Sequence, residues 1–287
     1  MPDVPRPFRQ VDVFGEDACT GNPVAVVLDA EEIDDQAMRR FSVWSNLSEC
    51  TFVLAPTQEG ADYRVRIFSL ETELPFAGHP TLGTARAWLD AGGRPRTPGV
   101  VVQECGAGLV RVRVDGERLA FAAPPRTRSG SVDDSYVNQV VHVLGVDPGS
   151  VVDAEWLDNG PGWVGLLLDS ADTVLSLRPD ASRHPGRWDV GVVGPTGDEA
   201  EPWELRAFFS NGADGLREDP VTGSLNAAAA QWLLGTGRAT APYVARQGTA
   251  MGRRGRVHVD QDDDGIWVGG RTQIVLSGEA DLVPRLS

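Results

Sequence analysis

The sequence contains no lysine, and arginine supplies all 26 of its basic residues. A covalent imine with a substrate, or with pyridoxal phosphate, needs a lysine amine, so the sequence excludes both forms of catalysis. Acidic residues number 41, and the formal net charge of −15 repels nucleic acids and anionic membranes. We therefore expect neither a nucleic acid nor a membrane as a partner.

Long apolar segments are also missing. The chain has no run of the roughly 18 apolar residues that a transmembrane helix needs. Residues 1–10 are too polar and too rich in proline to form a signal peptide. These absences predict a cytoplasmic protein.

Cysteine is scarce. Its three occurrences, Cys19, Cys50 and Cys105, are odd in number and lack the spacing of metal ligands, so we expect reduced, buried thiols. Walker, H-E-x-x-H and C-x-x-C sequences do not occur either. We expect no bound metal and no cofactor.

Two stretches of the chain follow one plan. Residues 73–85 (ELPFAGHPTLGTA) and 218–225 (EDPVTGSL) align at a constant offset, because Glu218 minus Glu73 and Gly223 minus Gly78 both give 145. That offset is about half of the 287 residues, which indicates two duplicated units.

Each of these stretches is typical of a turn that opens into a helix. Pro80 suits the first helical position of one helix, and Ser224 can cap the other. Free N–H groups at a helix start favour a carboxylate or phosphate, so we expect two anion-binding helix starts facing one cleft. His79 and Ser224 occupy equivalent places and Asp219 precedes the second helix, although all three also fit simple turn roles.

Alternating apolar residues predict short half-buried strands, and neither half of the chain alternates strand and helix regularly. We therefore reject a parallel Rossmann sheet and predict an α+β fold, with an antiparallel sheet wrapped on one central helix in each domain.

The chain exceeds the usual size of one core, and residues 123–130 are typical of a linker between domains. The predicted domains are 1–123 and 124–287, with the last strand free to return to the first domain. Helices are predicted near 33–44, 80–91, 134–144 and 224–235, and strands near 11–13, 22–28, 51–54, 63–67, 110–114, 163–168, 189–193, 203–209, 242–245, 256–259, 266–268 and 273–276.

Glu49 is a candidate general base. It lies between a helical segment and the apolar strand that begins at Thr51. Desolvation in such surroundings raises the pKa of a carboxyl group toward neutrality, although a solvated glutamate at a helix end is the simpler interpretation. A serine hydrolase is not supported, because Ser224 lacks a G-x-S-x-G context.

Four ordered blocks carry a family resemblance: GNPVAV (21–26), NLSE (46–49), ELPFAGHP (73–80) and EDPVTGS (218–224). Together they resemble the PhzF family of phenazine-biosynthesis isomerases, which is related in fold to diaminopimelate epimerase. The resemblance implies two pseudo-symmetric domains with the active site between them, a small-molecule substrate and a homodimer. It implies no cofactor.

The resemblance also assigns roles to residues. Glu49 would shuttle a proton, with His79 and Asp219 as further catalytic residues. Residues at the substrate would be Asn22, Gly78, Gly223 and Ser224.

The leading hypothesis is a cofactor-independent isomerase of the trans-2,3-dihydro-3-hydroxyanthranilate type, which moves a hydrogen from C3 to C1. Alternatives are a PhzF-like amino-acid epimerase, another isomerase of specialised metabolism, and a non-catalytic ligand-binding protein. The epimerases use two opposed thiols where this chain has Ala77 and Thr222, so that mechanism is not available. Cys50 follows Glu49 directly, and the alternation of a strand is expected to turn its thiol away.

Overall fold

The computed structural model describes residues 5–180, 182, 184, 186–210 and 215–282. This part of the chain forms two compact units. The first contains the residues up to Ala122 and those from Gly269 onward, and the second is Ala123–Val268. Within the described residues, no helix is long and apolar enough to cross a lipid bilayer.

Within the described residues, the first unit contains eight consecutive strands and two helices. They are β1 (Arg6–Val13), β2 (Asn22–Val27), α1 (Asp35–Ser45), β3 (Glu49–Leu54), β4 (Tyr63–Ser69), β5 (Thr72–Leu74), α2 (Gly78–Asp90), β6 (Val100–Cys105), β7 (Gly108–Asp115) and β8 (Arg118–Ala122). The second unit contributes α3 (Asp134–Leu144), β9 (Val151–Trp156), β10 (Val164–Leu168), α4 (Ala171–Ser176), β11 (Trp188–Pro195), β12 (Trp203–Ser210), β13 (Arg217–Asp219), α5 (Gly223–Gly235), β14 (Tyr243–Gln247) and β15 (Gly255–Asp262). The last strand, β16 (Gly265–Ala280), begins in the second unit and continues in the first.

The strands of the first unit close around α2. Their order is β1-β2-β3-β4-β6-β7-β8-β16, and β16 also pairs with β1. Helix α2 is buried over most of its length and contacts strands on several sides of this ring. A side chain at Gly83 would come within 2.3 Å of Val24, so glycine allows the helix to approach β2.

The second unit repeats this arrangement around α5, with the strand order β9-β10-β11-β12-β14-β15. Helix α5 is apolar on all sides, and its alanines are buried. A helix with this composition is stable only inside a core. Gly191 in β11 lies under Leu225, where an added Cβ would come within 2.2 Å of the leucine.

The two units share one internal sequence of elements. In each, a long strand pairs with a three-residue strand and is followed by a 13-residue helix, α2 or α5. Each helix then leads to a strand parallel to the long one, as β6 is to β4 and β14 is to β12. Gly223 minus Gly78 again gives 145, so the repeat in the sequence is a repeat in the fold.

A matching ion pair ties the short strand to the long one in each unit. Arg66 donates to both carboxylate oxygens of Glu73, at 2.8 and 2.6 Å. Arg206 does the same to Glu218, with both contacts at 2.8 Å. The two glutamates that open the repeated stretches therefore fix the strand ends that precede the central helices.

The α+β architecture is confirmed, with one correction to the sheets. They are mixed, because β2 pairs with β3 and β10 with β11 in parallel, in addition to the parallel pairs beside the central helices. A parallel pair needs a crossover, which α1 and α4 supply, and alternation cannot reveal strand direction. The helix predicted at 33–44 is α1, whereas α4, β5, β6, β8, β9 and β13 were not predicted.

One glycine pattern in the second unit resembles a cofactor-binding motif but lacks its structure. Residues 160–165 (GPGWVG) have the spacing of a dinucleotide-binding loop, but they lead into β10 rather than into a helix. Without the helix start that would hold a pyrophosphate, the spacing carries no cofactor site.

Candidate active site

Three predicted site residues of the first unit lie together. Glu49 is the first residue of β3, and His79 is the second residue of α2. The distance from Nε2 of His79 to Oε2 of Glu49 is 3.4 Å, and the two side chains are 5% and 16% exposed, respectively. Asn22, the first residue of β2, is buried, and its Nδ2 lies 3.3 Å from Nδ1 of His79. Gly78, which begins α2, adjoins this group.

The parallel pairing of β2 with β3 explains why these residues meet. Val24 is in register with Glu49, so Asn22 and Glu49 lie at the same end of two neighbouring strands. Helix α1 ends at Ser45, and the left-handed conformation of the next residue, Asn46, turns the chain toward β3. An asparagine tolerates that conformation more readily than most residues.

Burial sets the protonation state of His79. It lowers the pKa of His79 to about 3, and a hydrogen bond with the backbone carbonyl of Pro23 only partly opposes this shift. The imidazole is therefore neutral near pH 7. A neutral neighbour leaves Glu49 more basic than an imidazolium would, because a positive charge would stabilise the carboxylate.

Cys50 is excluded from this group. Its thiol packs in an apolar cluster with Ala25 and Phe52 and lies 3.1 Å from Oγ of Ser45. Burial raises the pKa of Cys50 to about 11, so the thiolate is scarce at neutral pH. The expected orientation of this thiol is confirmed.

Cys105 is also buried, whereas Cys19 is exposed, which corrects the expectation that all three thiols are buried.

The second unit brings Asp219, Gly223 and Ser224 to one turn. Asp219 ends β13, Gly223 begins α5, and Thr222 is the residue before the helix. The Thr222 hydroxyl donates a hydrogen bond to Oδ2 of Asp219. The carboxylate is thereby held against the helix start.

Ser224 is not a helix cap, contrary to the sequence prediction. It is the second residue of α5, as His79 is of α2, and Pro80 is the third residue of α2 rather than the first. The indole N–H of Trp163 donates to Oγ of Ser224 at 3.0 Å, and Asn159 donates to the backbone carbonyl of Ser224 at 2.8 Å. Because an indole N–H can only donate, the serine hydroxyl keeps its own proton for another acceptor.

Both central helices begin without a side-chain cap in the described part of the chain. Ala77 has no polar side chain, and the hydroxyl of Thr222 points to Asp219 instead. A missing cap leaves the first N–H groups of a helix available and costs about 1 kcal/mol. The anion-binding character predicted for Gly78 and Gly223 is consistent with this geometry.

Sequence reasoning overlooked four residues that support the second group: Asn159, Trp163, Thr222 as a donor, and Gln247. Gln247 had a detectable signal, since Gln247 minus Gln103 gives 144, close to the repeat offset. Among the described residues, no group of three or more histidines, cysteines, aspartates or glutamates could hold a metal ion.

Known proteins share this arrangement of elements and motifs. The family model for phenazine biosynthesis-like proteins, PhzC-PhzF, matches residues 11–283. The chain belongs to the PhzC-PhzF family. Membership places it among enzymes that are isomerases.

Three similar proteins illustrate the range of the PhzC-PhzF family. An uncharacterized isomerase of Mesorhizobium japonicum is 42% identical over 89% of this chain and 90% of its own. The trans-2,3-dihydro-3-hydroxyanthranilate isomerase of Pseudomonas aeruginosa is 35% identical over 75% of this chain and 74% of its own. The crystal structure of a Bacillus anthracis PhzF-family protein has a TM-score of 0.79 at 21% identity and covers 96% of this chain and 99% of its own. The last likeness concerns the fold.

Proposed function

We propose that this chain catalyses a cofactor-independent isomerisation in which Glu49 moves a proton between two carbons of a small substrate with a carboxylate and an amine. The contact between Glu49 and the neutral His79 is the observation that carries this proposal. The similarity to trans-2,3-dihydro-3-hydroxyanthranilate isomerase supports that compound as the substrate.

The proposed reaction conserves atoms and electrons. A C–H bond of the donor carbon, C3 in this substrate, breaks while an O–H bond forms on the Glu49 carboxylate. The electron pair forms a double bond between C3 and C4, and the C4=C5 double bond moves to C5=C6. The electrons of the C6=C1 double bond then take the proton from Glu49, so the new O–H bond breaks as a C–H bond forms at C1. No oxidant or reductant is needed.

His79 keeps Glu49 competent as a base in this proposal. A charged imidazolium 3.4 Å away would hold the carboxylate in its ionised form and weaken its affinity for a proton. The neutral ring instead packs beside the carboxyl group without placing a positive charge there. Asn22, 3.3 Å from the other ring nitrogen, fixes the orientation of the imidazole.

The remaining residues receive separate roles. The N–H groups of Gly78 and Gly223 bind the substrate carboxylate, which the absence of side-chain caps at both helix starts in the described residues supports. Asp219 assists proton transfer at the substrate, and Ser224 donates a hydrogen bond to it through the proton that Trp163 leaves available.

An epimerase that uses the same glutamate with a different substrate is the alternative within the family. The two-thiol version of that chemistry is not supported, because Ala77 carries no thiol and the hydroxyl of Thr222 binds Asp219. A ligand-binding protein without activity would not need a partly buried base beside a neutral histidine.

The test is turnover of trans-2,3-dihydro-3-hydroxyanthranilate by the purified chain and by Glu49→Gln. The variant keeps the shape of the side chain and removes the base, so we expect at least the roughly 100-fold loss typical of a general base, with substrate binding retained. Near-normal turnover by Glu49→Gln would exclude Glu49 as the base.

Glu104→Gln is the matched control for this variant. Glu104 is a buried carboxylate of the first unit, and it accepts hydrogen bonds from the backbone N–H groups of Thr57 and Gln58. Its loss is expected to lower stability and to leave kcat unchanged.

The purified enzyme should also keep full activity after dialysis against a chelator, and activity that returns only with an added metal or cofactor would contradict cofactor independence.

We also propose that the chain is a cytoplasmic homodimer. An apolar surface on the first unit supports the assembly, since Trp44 is 82% exposed and Val43 is 44% exposed. Light scattering should give twice the mass of the chain, and Trp44→Glu should shift it to the monomer. A wild-type monomer at micromolar concentration would contradict the dimer.

A further inference from the structure

Gln247 is a fully buried glutamine at the end of β14, and its side chain makes hydrogen bonds to the turn that carries Asp219 and to Asn226 of α5. Oε1 accepts from the backbone N–H of Thr222 at 3.0 Å and from Nδ2 of Asn226 at 2.8 Å. Nε2 donates to the backbone carbonyl of Asp219 at 3.1 Å and to Oγ1 of Thr222 at 2.9 Å.

The chemistry of these partners fixes the orientation of the Gln247 amide. The N–H of Thr222 can only donate, so it must face the amide oxygen. The carbonyl of Asp219 can only accept, so it must face the amide nitrogen. Rotating the amide by half a turn would break both contacts and leave buried polar groups unpaired, which is costly.

This orientation also sets the direction of the next hydrogen bond. Because Nε2 of Gln247 donates to Oγ1 of Thr222, the hydroxyl proton of Thr222 is directed elsewhere. It goes to Oδ2 of Asp219. One buried amide therefore holds both the backbone and the carboxylate of Asp219.

The first unit offers a natural comparison. Gln103 lies on β6, the strand that corresponds to β14, and it is also fully buried. It accepts from the hydroxyl of Tyr63 at 3.0 Å and donates to Oγ1 of Thr81 at 2.9 Å. The two glutamines occupy equivalent strands, but only Gln247 contacts a residue with a proposed catalytic role.

We infer that Gln247 is a positioning residue that holds Asp219 and the start of α5 in the geometry needed for proton transfer. This inference rests on the proposed function, because it assigns Gln247 an effect through Asp219. Gln247 itself is given no contact with the substrate.

The first measurement needs no turnover. Gln247→Met removes the amide at nearly constant volume, and Gln103→Met makes the same change in the other unit. Hydrogen exchange measured by mass spectrometry should show exchange of the peptide containing Thr222 about tenfold faster in Gln247→Met and unchanged in Gln103→Met. Unchanged exchange at Thr222 in Gln247→Met would overturn the inference.

The second measurement separates positioning from general damage. Misplacing a reacting group by about 1 Å costs on the order of 100-fold, so kcat should fall by about that factor in Gln247→Met while KM changes much less. In an Asp219→Asn background the Gln247→Met substitution should have little further effect on kcat, because it acts through Asp219. A full additional loss of kcat in the double variant would contradict the inference.

Thr222→Val provides the same test if Gln247→Met does not fold. It removes the hydroxyl between Gln247 and Asp219 and leaves the contacts of Gln247 with the Thr222 N–H and with Asn226 in place. Its loss of kcat should also be absent in the Asp219→Asn background. If the wild-type chain fails to turn over the substrate, the proposed function fails, whereas the exchange measurement still decides whether Gln247 holds the turn.

Discussion

Nε2 of His79 lies 3.4 Å from Oε2 of Glu49, and both side chains are largely withdrawn from water. In water the imidazole of such a pair would carry a positive charge for part of the time at neutral pH, because the pKa of an ordinary histidine is 6.5. Here burial lowers the pKa of His79 to about 3 and keeps the imidazole neutral. The histidine therefore places no positive charge beside the carboxylate of Glu49. This suits a group that must accept a proton from carbon.

The pH dependence of stability tests the neutral state of His79. Its pKa is about 3 in the folded chain against 6.5 for an ordinary histidine, so between these values the unfolded chain binds a proton that the folded chain does not. His79 should therefore lower the free energy of unfolding as the pH falls below 6.5, by up to about 1.4 kcal/mol per pH unit. Urea unfolding of the wild type and His79→Gln at several pH values measures this contribution. Parallel curves for the two proteins would contradict the neutral histidine.

The hydrogen bond from Trp163 to Ser224 can be removed without removing the ring. Trp163→Phe deletes the N–H that orients the serine hydroxyl, and we expect kcat/KM to fall by roughly fivefold, the value of one ordinary hydrogen bond. The control is Trp188→Phe, which deletes an indole hydrogen bond of the same 3.0 Å length to the carbonyl of His184. Equal losses of kcat/KM in both variants would show that the effect comes from general destabilisation.

The repeated arginine–glutamate pairs predict unequal effects on stability. Arg206 is 6% exposed and also donates to the carbonyls of Val174 and Leu177, whereas Arg66 is 23% exposed. Breaking a buried pair costs about 3–5 kcal/mol, and breaking an exposed one costs about 1 kcal/mol or less. Urea unfolding should therefore show a much larger loss for Arg206→Met than for Arg66→Met. Similar losses would contradict this ranking.

A side-chain cap at the start of α2 should stabilise the protein and weaken binding of the substrate. Ala77 has extended backbone angles, so Ala77→Ser can place its hydroxyl on the first N–H groups of the helix. We expect the free energy of unfolding to rise by about 1 kcal/mol, and KM to rise because the hydroxyl competes with the substrate carboxylate. Ala77→Gly, which adds no hydroxyl, is the control. If Ala77→Ser stabilises the protein and KM is unchanged, the start of α2 does not bind the substrate carboxylate.

Much of the fold and of the candidate site could be predicted from the sequence, because the duplication is visible as a constant offset and the family motifs occur in order. The offset of 145 predicted two helix starts, and the structure has 13-residue helices at Gly78 and Gly223. The proximity of Glu49 and His79 could not be predicted by periodicity. It depends on the parallel pairing of β2 with β3 and on a helix that begins inside the ring of strands.

Other features required three-dimensional information. Asp12 reads as the exposed position of an alternating strand, yet it is buried and accepts hydrogen bonds from the backbone N–H groups of Thr20 and Gly21. Strand β16 was predicted as two short strands, because only pairing with β1 reveals that it is continuous over 16 residues. The spacing of Gln247 from Gln103 hints at equivalent places in the two units, but the role of Gln247 depends on its buried hydrogen-bond partners.

The most direct test of the single-base mechanism follows the transferred proton. Trans-2,3-dihydro-3-hydroxyanthranilate is converted in deuterated water, and the product is examined by NMR and mass spectrometry. One carboxylate on one face returns the proton to the side from which it came, and a sheltered carboxyl group exchanges slowly with solvent. We predict a suprafacial shift with less than one deuterium per molecule, located at the new C–H position. Inversion at a single carbon with full incorporation of deuterium there would indicate two opposed bases and would contradict the role of Glu49.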